Sequence, residues 1–350
     1  CLVWQTTCRF PQKSKSIFGI IYLMDPITHS LSGAILSRTG FYQRLGRIAT
    51  IIFIIAAMIP DIDHFSLRLA GPLAYLKYHR GFTHSIIGSF VIAALMAGIA
   101  YSIKQVREKM GYLTVFALSI LGIYTHIFLD LITSYGTQIF FPFSNKRYSL
   151  DLVFIIDFYF SAILLIPLII MLFKKKWRRI LAISSVVGII IYLGIAHIER
   201  TIAIRNVKDE VQKLGIQSMR IEANPLPLSP FRWSVFVEDE KRFYQMNVDT
   251  LKNNSTFNSF EKKHVPAGLN HGIEGNNIIG KVENLEIVKT YLWFARFPVV
   301  TVKEEAEGYM VEYFDLRFNS LPPRRPFLLK VFVDRYGSLK HAELMFHTIK

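Results

Sequence analysis

MIPDIDHFSLRLAGPLAYLKYHRGFTHS, residues 58–85, sets two aspartates one residue apart and three histidines between two apolar runs. RIATIIFIIAAMIP (47–60) precedes the histidines and IIGSFVIAALMAGIAYSI (86–103) follows them, and both runs suit lipid. An ionisable group beside hydrocarbon costs several kcal/mol unless it is paired, hydrated or bound to a cation. Ionisable residues in such a place therefore read as functional.

The whole chain supports the membrane setting. Of its 350 residues 51% are hydrophobic and only 19% charged, with a mean hydropathy of +0.31. That apolar excess is beyond an ordinary soluble domain. The net charge of +15 gathers in short loops such as KQVREK (104–109) and KKKWRR (174–179). Basic residues there follow the positive-inside rule and argue against nucleic acid as a partner. The two cysteines, Cys1 and Cys8, make neither a disulfide framework nor a thiolate metal site. MDPITHSLSGAILSR opens at Met24 like a true start, so residues 1–23 read as an upstream extension or mis-called start; a lipid-bearing Cys1 is the rival reading.

Residues 85–103, 112–134, 152–173 and 179–197 are long and apolar enough to span a bilayer, while 48–60 and 27–37 are shorter. After Ile198 the pattern changes to period-two alternation, as in RWSVFVED (232–239), GYMVEYFDLRF (308–318) and FLLKVFVDRYG (327–337). The expected fold is an α-helical polytopic membrane bundle of about five to six helices over 24–198. A β-rich soluble domain over 199–350 follows, with 207–215 as a helical connector. With KKKWRR cytoplasmic, threading puts 61–83 outside and the β-rich domain in the extracytoplasmic space; Lys77 and Arg80 run against this threading.

Residues 1–197 contain seven carboxylates, and on this topology all but Glu108 fall at outward helix ends or in outward loops. His29, His64, His79, His84 and His126 join them. His126 and Asp130 stand four apart and share a helix face, as do Asp25 and His29, with Pro26 at a favourable first turn. In an extended PDID segment Asp61 and Asp63 project to one side, although one of them also suits a helix N-cap. His79 and His84 flank Gly81. Imidazole plus carboxylate, with no thiolate, suits a divalent transition metal: zinc foremost, then Mn or Fe, as one or two ions. Arg80 is a candidate clamp for an anionic substrate, and Asp25 a candidate carboxylate beside the metal. Asp157, two turns into its expected helix, is a ligand or an acceptor from a ligating histidine; Asp151 is a helix N-terminal charge. The loop 134–151 reads as an aromatic belt or a lid.

Together MDPITHSLSG, PDID, HRGFTHS, THIFLDLITSYG and the following FPFS resemble the YdjM-type family of membrane-bound, metal-dependent hydrolase-like proteins, over roughly residues 24–175. The resemblance implies a multi-pass protein of the inner membrane with a metal site at His29, Asp61, Asp63, His79, His84, His126 and Asp130. It also implies a lipid or lipid-linked phosphoester as substrate. The alternative is a transport protein using the same groups for a divalent cation or protons. Their grouping at one face, rather than along the depth of several helices, favours the hydrolase. A non-catalytic scaffold leaves the convergence of ligand-type residues unexplained.

Overall fold

A computed structural model describes residues 17–252, 254–265, 273–319 and 325–346. Helix α1 (Ile17–Leu36) runs straight through Pro26, so that proline lies inside the helix rather than in its first turn. Asp25 belongs to this helix, but its side chain lies outside the described residues. A π-helical turn and the short α2 (Tyr42–Leu45) lead to α3 (Arg47–Met58).

The stretch expected as an outward loop is instead helical. A 3-10 turn (Ile59–Asp61) is followed by α4 (Ile62–Ala70), α5 (Pro72–Tyr78) and a second 3-10 turn (Phe82–His84) before α6 (Ile86–Ser102). Helical backbone there removes the extended geometry that was to aim Asp61 and Asp63 the same way. On α4, Ile62, Phe65 and Leu69 form an exposed apolar stripe at helical spacing, while Asp63 turns inward.

The short α7 (Lys104–Arg107) joins α6 to α8 (Tyr112–Leu131), and α9 (Phe158–Phe173) and α10 (Arg178–Lys213) complete the helical part. Three stretches are long and apolar enough to cross a membrane: Arg47–Leu67, Tyr112–Leu131 and Lys175–Lys213. A fourth is added if Pro72–His84 and Ile86–Ser102, bent by 66°, form one broken span. The 16-residue α9 is a shorter apolar helix. Small residues let α1, α3 and α8 approach closely, since a Cβ on Gly122 would stand 2.6 Å from the Ala56 Cβ and one on Gly33 2.6 Å from the Phe53 carbonyl oxygen.

Helix α9 begins at Phe158, not at 152, because Asp157 caps it: its Oδ1 accepts from the Phe160 amide at 2.9 Å. Asp157 therefore stands at the helix mouth rather than two turns inside. Helix α10 continues for 36 residues through Ile198 and absorbs most of the expected connector. Past the change in composition it buries Ala203, Val207 and Val211, one face at four-residue spacing, against a sheet.

That sheet is antiparallel, in the order β1 (Arg220–Pro225), β2 (Arg232–Glu238), β3 (Arg242–Asp249), β4 (Asn254–Glu261). The second sheet runs β5 (Lys263–His264), β6 (Pro298–Glu305), β7 (Gly308–Asp315), β8 (Leu328–Val333), β9 (Leu339–Met345), with only β5 and β6 parallel. Helices α11 (Ile273–Val282) and α12 (Glu286–Phe294) lie between β5 and β6 in the chain. The three alternating segments read from the sequence become β2, β7 and β8.

The second sheet shares its core with the helical part. Tyr75, Leu76 and Tyr135 pack in one cluster with Tyr291, Phe294 and Val331. Arg296 makes two bonds of 3.0 Å to the buried Asp151 carboxylate and also pairs with Glu222. Burial alone would lower the Arg296 pKa, but Asp151 and then Glu222 raise it above its ordinary value. Asp151 is thus an interdomain partner in a loop, not a helix N-terminal charge. Arg317 donates to the Ser134 carbonyl at 3.0 Å. These contacts seat the β-rich region on the end of the bundle that carries α5 and the loop 134–151.

Candidate metal centre

Three elements bring four ligand atoms to a common point. Asp61 comes from the 3-10 turn after α3, His84 from the turn before α6, and His126 and Asp130 from adjacent turns of α8. His84 Nε2 lies 3.0 Å from His126 Nε2, 3.1 Å from Asp130 Oδ2 and 3.5 Å from Asp61 Oδ1. His126 Nε2 lies 3.4 Å from Asp130 Oδ2 and 3.6 Å from Asp61 Oδ1. A tetrahedral ion with ligands at about 2.0–2.1 Å needs edges of about 3.3 Å, which is the range of these separations. Asp61 is the open member, with its side chain 20% exposed against 1% or less for the others.

The surrounding hydrogen bonds decide where the ring protons sit. His126 Nδ1 donates to the Ala57 carbonyl at 2.8 Å. Thr83 gives its single hydroxyl proton to Asp63 Oδ2 at 2.9 Å, so its oxygen accepts from His84 Nδ1, also at 2.9 Å. With Nδ1 protonated in this way, each ring in its neutral form turns an unprotonated Nε2 toward the same point as two carboxylates. Tethering the far nitrogen in this way is how metal-ligating histidines are oriented.

Charge leads to the same reading. Asp61, Asp63 and Asp130 carry three negative charges against one on Arg80, all within a largely buried cluster. One divalent cation would neutralise the excess of two. Protonating both rings instead would set two N–H groups and two like charges 3.0 Å apart. The donor set of two imidazoles and two carboxylates fits a divalent transition metal.

Other residues expected as ligands stand around this group rather than in it. Asp63 lies behind His84: its Oδ1 accepts from His79 Nδ1 at 3.0 Å and its Oδ2 from the Arg80 amide at 3.1 Å. His79 stacks on Tyr75 and lies outside the group of four. His29 stacks on His126 at 3.8 Å between ring centroids, with Nε2 3.4 Å from Asp130 Oδ1. Arg80, expected as a substrate clamp, is only 2% exposed; its guanidinium holds Asp130 Oδ1 at 2.8 Å and Thr133 Oγ1 at 3.1 Å, out of reach of a substrate. Asp157 is engaged elsewhere, capping α9 and accepting from the Tyr192 hydroxyl at 2.5 Å. Sequence reasoning passed over Thr83, although it stands beside His84 within HRGFTHS, and the Ala57 carbonyl carries no residue-type signal at all.

Fold and cluster together define a multi-pass membrane protein with a buried His/Asp centre of metal-ligand type. The model of the YdjM inner membrane protein family matches residues 24–203, more than half of the chain, and the chain belongs to that family. It is 29% identical over 137 residues to the uncharacterized protein YfhP of Bacillus subtilis (strain 168), covering 37% of this chain and 41% of that protein. With the inner membrane protein YbcI of Escherichia coli (strain K12) it shares 29% identity over 97 residues, covering 27% of this chain and 54% of the relative. The chain thus spans about half the length of the curated relatives it matches, or less. No solved structure matches it.

Proposed function

We propose that the protein is a metal-dependent hydrolase of the inner membrane, acting on a phosphoester of a lipid or lipid-linked substrate at the extracytoplasmic face. The observation that carries the reading is the meeting of Asp61, His84, His126 and Asp130 around one point, with one ligand more exposed than the rest. A divalent ion held there would supply Lewis acidity and lower the pKa of water to ~7.

The chain's own residues fill the remaining roles. His84, His126 and Asp130 form the rigid side of the site, oriented by Thr83, by the Ala57 carbonyl and by Arg80 respectively. Asp61 guards the open side, and its carboxylate would take a proton from water arriving there. Asp61, the most exposed of the four residues that would hold the ion, would be the one to make room for an arriving water or substrate.

Purified full-length protein in detergent, assayed on phosphodiester and phospholipid substrates, tests the reading. Turnover should vanish with a chelator, return with added metal and be absent in His84→Ala. Absence of turnover on the panel, together with divalent-cation uptake into vesicles carrying the protein, would replace hydrolysis by transport.

A further inference from the structure

The loop 134–151 and the β-rich region enclose a cavity of about 390 Å³, lined among others by Tyr135, Lys146, Arg147, Trp293, Arg296 and Arg317. Four of the lining side chains are cations and none is a carboxylate. Two of the cations are neutralised from outside the cavity: Arg296 by Asp151 and Glu222, Arg317 by Asp315. Lys146 and Arg147 are not. Among the described residues no carboxylate lies within ion-pair distance of either.

Arg147 is built into the wall. Its Nη1 donates to the Gly136 carbonyl at 2.9 Å, and its Nη2 to the carbonyls of Leu76 at 2.9 Å and His79 at 3.0 Å. Its guanidinium lies 5.2 Å from the Trp293 ring centroid and 5.3 Å from that of Tyr135. Its Nε is buried with no hydrogen-bond partner among the described residues. A partly buried guanidinium held by neutral carbonyls and ring faces, with the Asp63 carboxylate acting on it only from beyond ion-pair distance, keeps a positive charge that is only partly compensated, which is costly unless an anion meets it. Lys146, which is exposed, adds an ammonium at the rim, 5.4 Å from the Tyr148 ring centroid.

We infer that this interdomain cavity binds a phosphate-bearing anion, with Arg147 and Lys146 supplying the charge and Trp293 an aromatic wall. Its volume lies in the range of small-ligand sites. Either a lipid headgroup or a soluble phosphorylated compound presents this chemistry. The inference rests on the cavity's own residues and does not require hydrolysis at the His/Asp centre, although a substrate phosphoester would satisfy both.

The full chain in nanodiscs of phosphatidylcholine is titrated with inorganic phosphate by calorimetry. In parallel, retention of phosphatidylglycerol over phosphatidylcholine is measured by extracting the lipid that copurifies. Saturable phosphate binding assigns a soluble ligand, and selective retention of phosphatidylglycerol assigns a headgroup; either supports the site. Lys146→Glu, on an exposed residue, should weaken the interaction at least about tenfold, as loss of a charge-assisted contact implies. Arg147→Lys, which keeps the charge but not the fork, should weaken it as well. Neither ligand bound by the wild type, or binding that both variants leave unchanged, overturns the inference. Metal content measured on the same samples separates the two sites: either ligand bound without metal removes the hydrolase reading and keeps the cavity, and metal with neither phosphate nor phosphatidylglycerol bound does the reverse.

Discussion

Replacing Thr83 by valine removes one hydroxyl at nearly constant volume and tests whether the centre is oriented as described. Thr83 donates to Asp63 Oδ2 and accepts from His84 Nδ1, both at 2.9 Å. Asp63 keeps its bonds to His79 and the Arg80 amide, so its position survives. His84 loses the acceptor that fixes its tautomer, and its ring can then place a proton on the nitrogen that faces Asp61, His126 and Asp130. Loss of such an orienting partner lowers metal affinity by about 10–100-fold, or about 1.4–2.7 kcal/mol. Competition against a chromogenic chelator, at fixed pH and on purified protein in detergent, measures the change directly. Thr83→Ser keeps the hydroxyl and should bind like the wild type. Equal affinity in Thr83→Val and wild type would refute the argument, because His84 would then not depend on the Thr83 bridge.

Two further outcomes follow from the placement of other charges. Arg296→Met leaves the buried Asp151 without its cation, and breaking a buried pair from one side costs about 3–5 kcal/mol, so the thermal midpoint should fall and protease cleavage between the helical and β-rich parts should accelerate. Asp157→Ala removes the cap of α9 and the acceptor of Tyr192, which should cost about 1–2 kcal/mol of stability and leave metal binding intact; loss of metal would return Asp157 to the centre.

Period and residue type made most of this architecture legible. The apolar runs gave α6, α8 and the first half of α10, and alternation gave β2, β7 and β8. His126 and Asp130 were legible as a pair because four residues on one helix bring side chains together whatever surrounds them. Helix α3 does end just before Pro60, but the segment after it, expected as extended, is a 3-10 turn that carries the backbone into α4. The turn separates Asp61, which joins the centre, from Asp63, which supports it. Asp157 misled for a related reason. VFII (153–156) is apolar enough to read as helix, and only the capping bond to Phe160 shows where α9 begins. Arg80 looked like a substrate clamp because sequence reports its charge and not its burial. The roles of Ala57 and Thr133 depend on contacts across many residues of chain, which no local pattern encodes.

Elemental analysis of the purified full-length protein, alongside the double variant His84→Ala with His126→Ala, tests the central claim most directly. One transition-metal ion per chain in the wild type and none in the variant is the expected result. Wild-type protein that stays metal-free after incubation with zinc, manganese and iron, or a variant that keeps its full complement, would contradict the assignment of Asp61, His84, His126 and Asp130 as a metal centre.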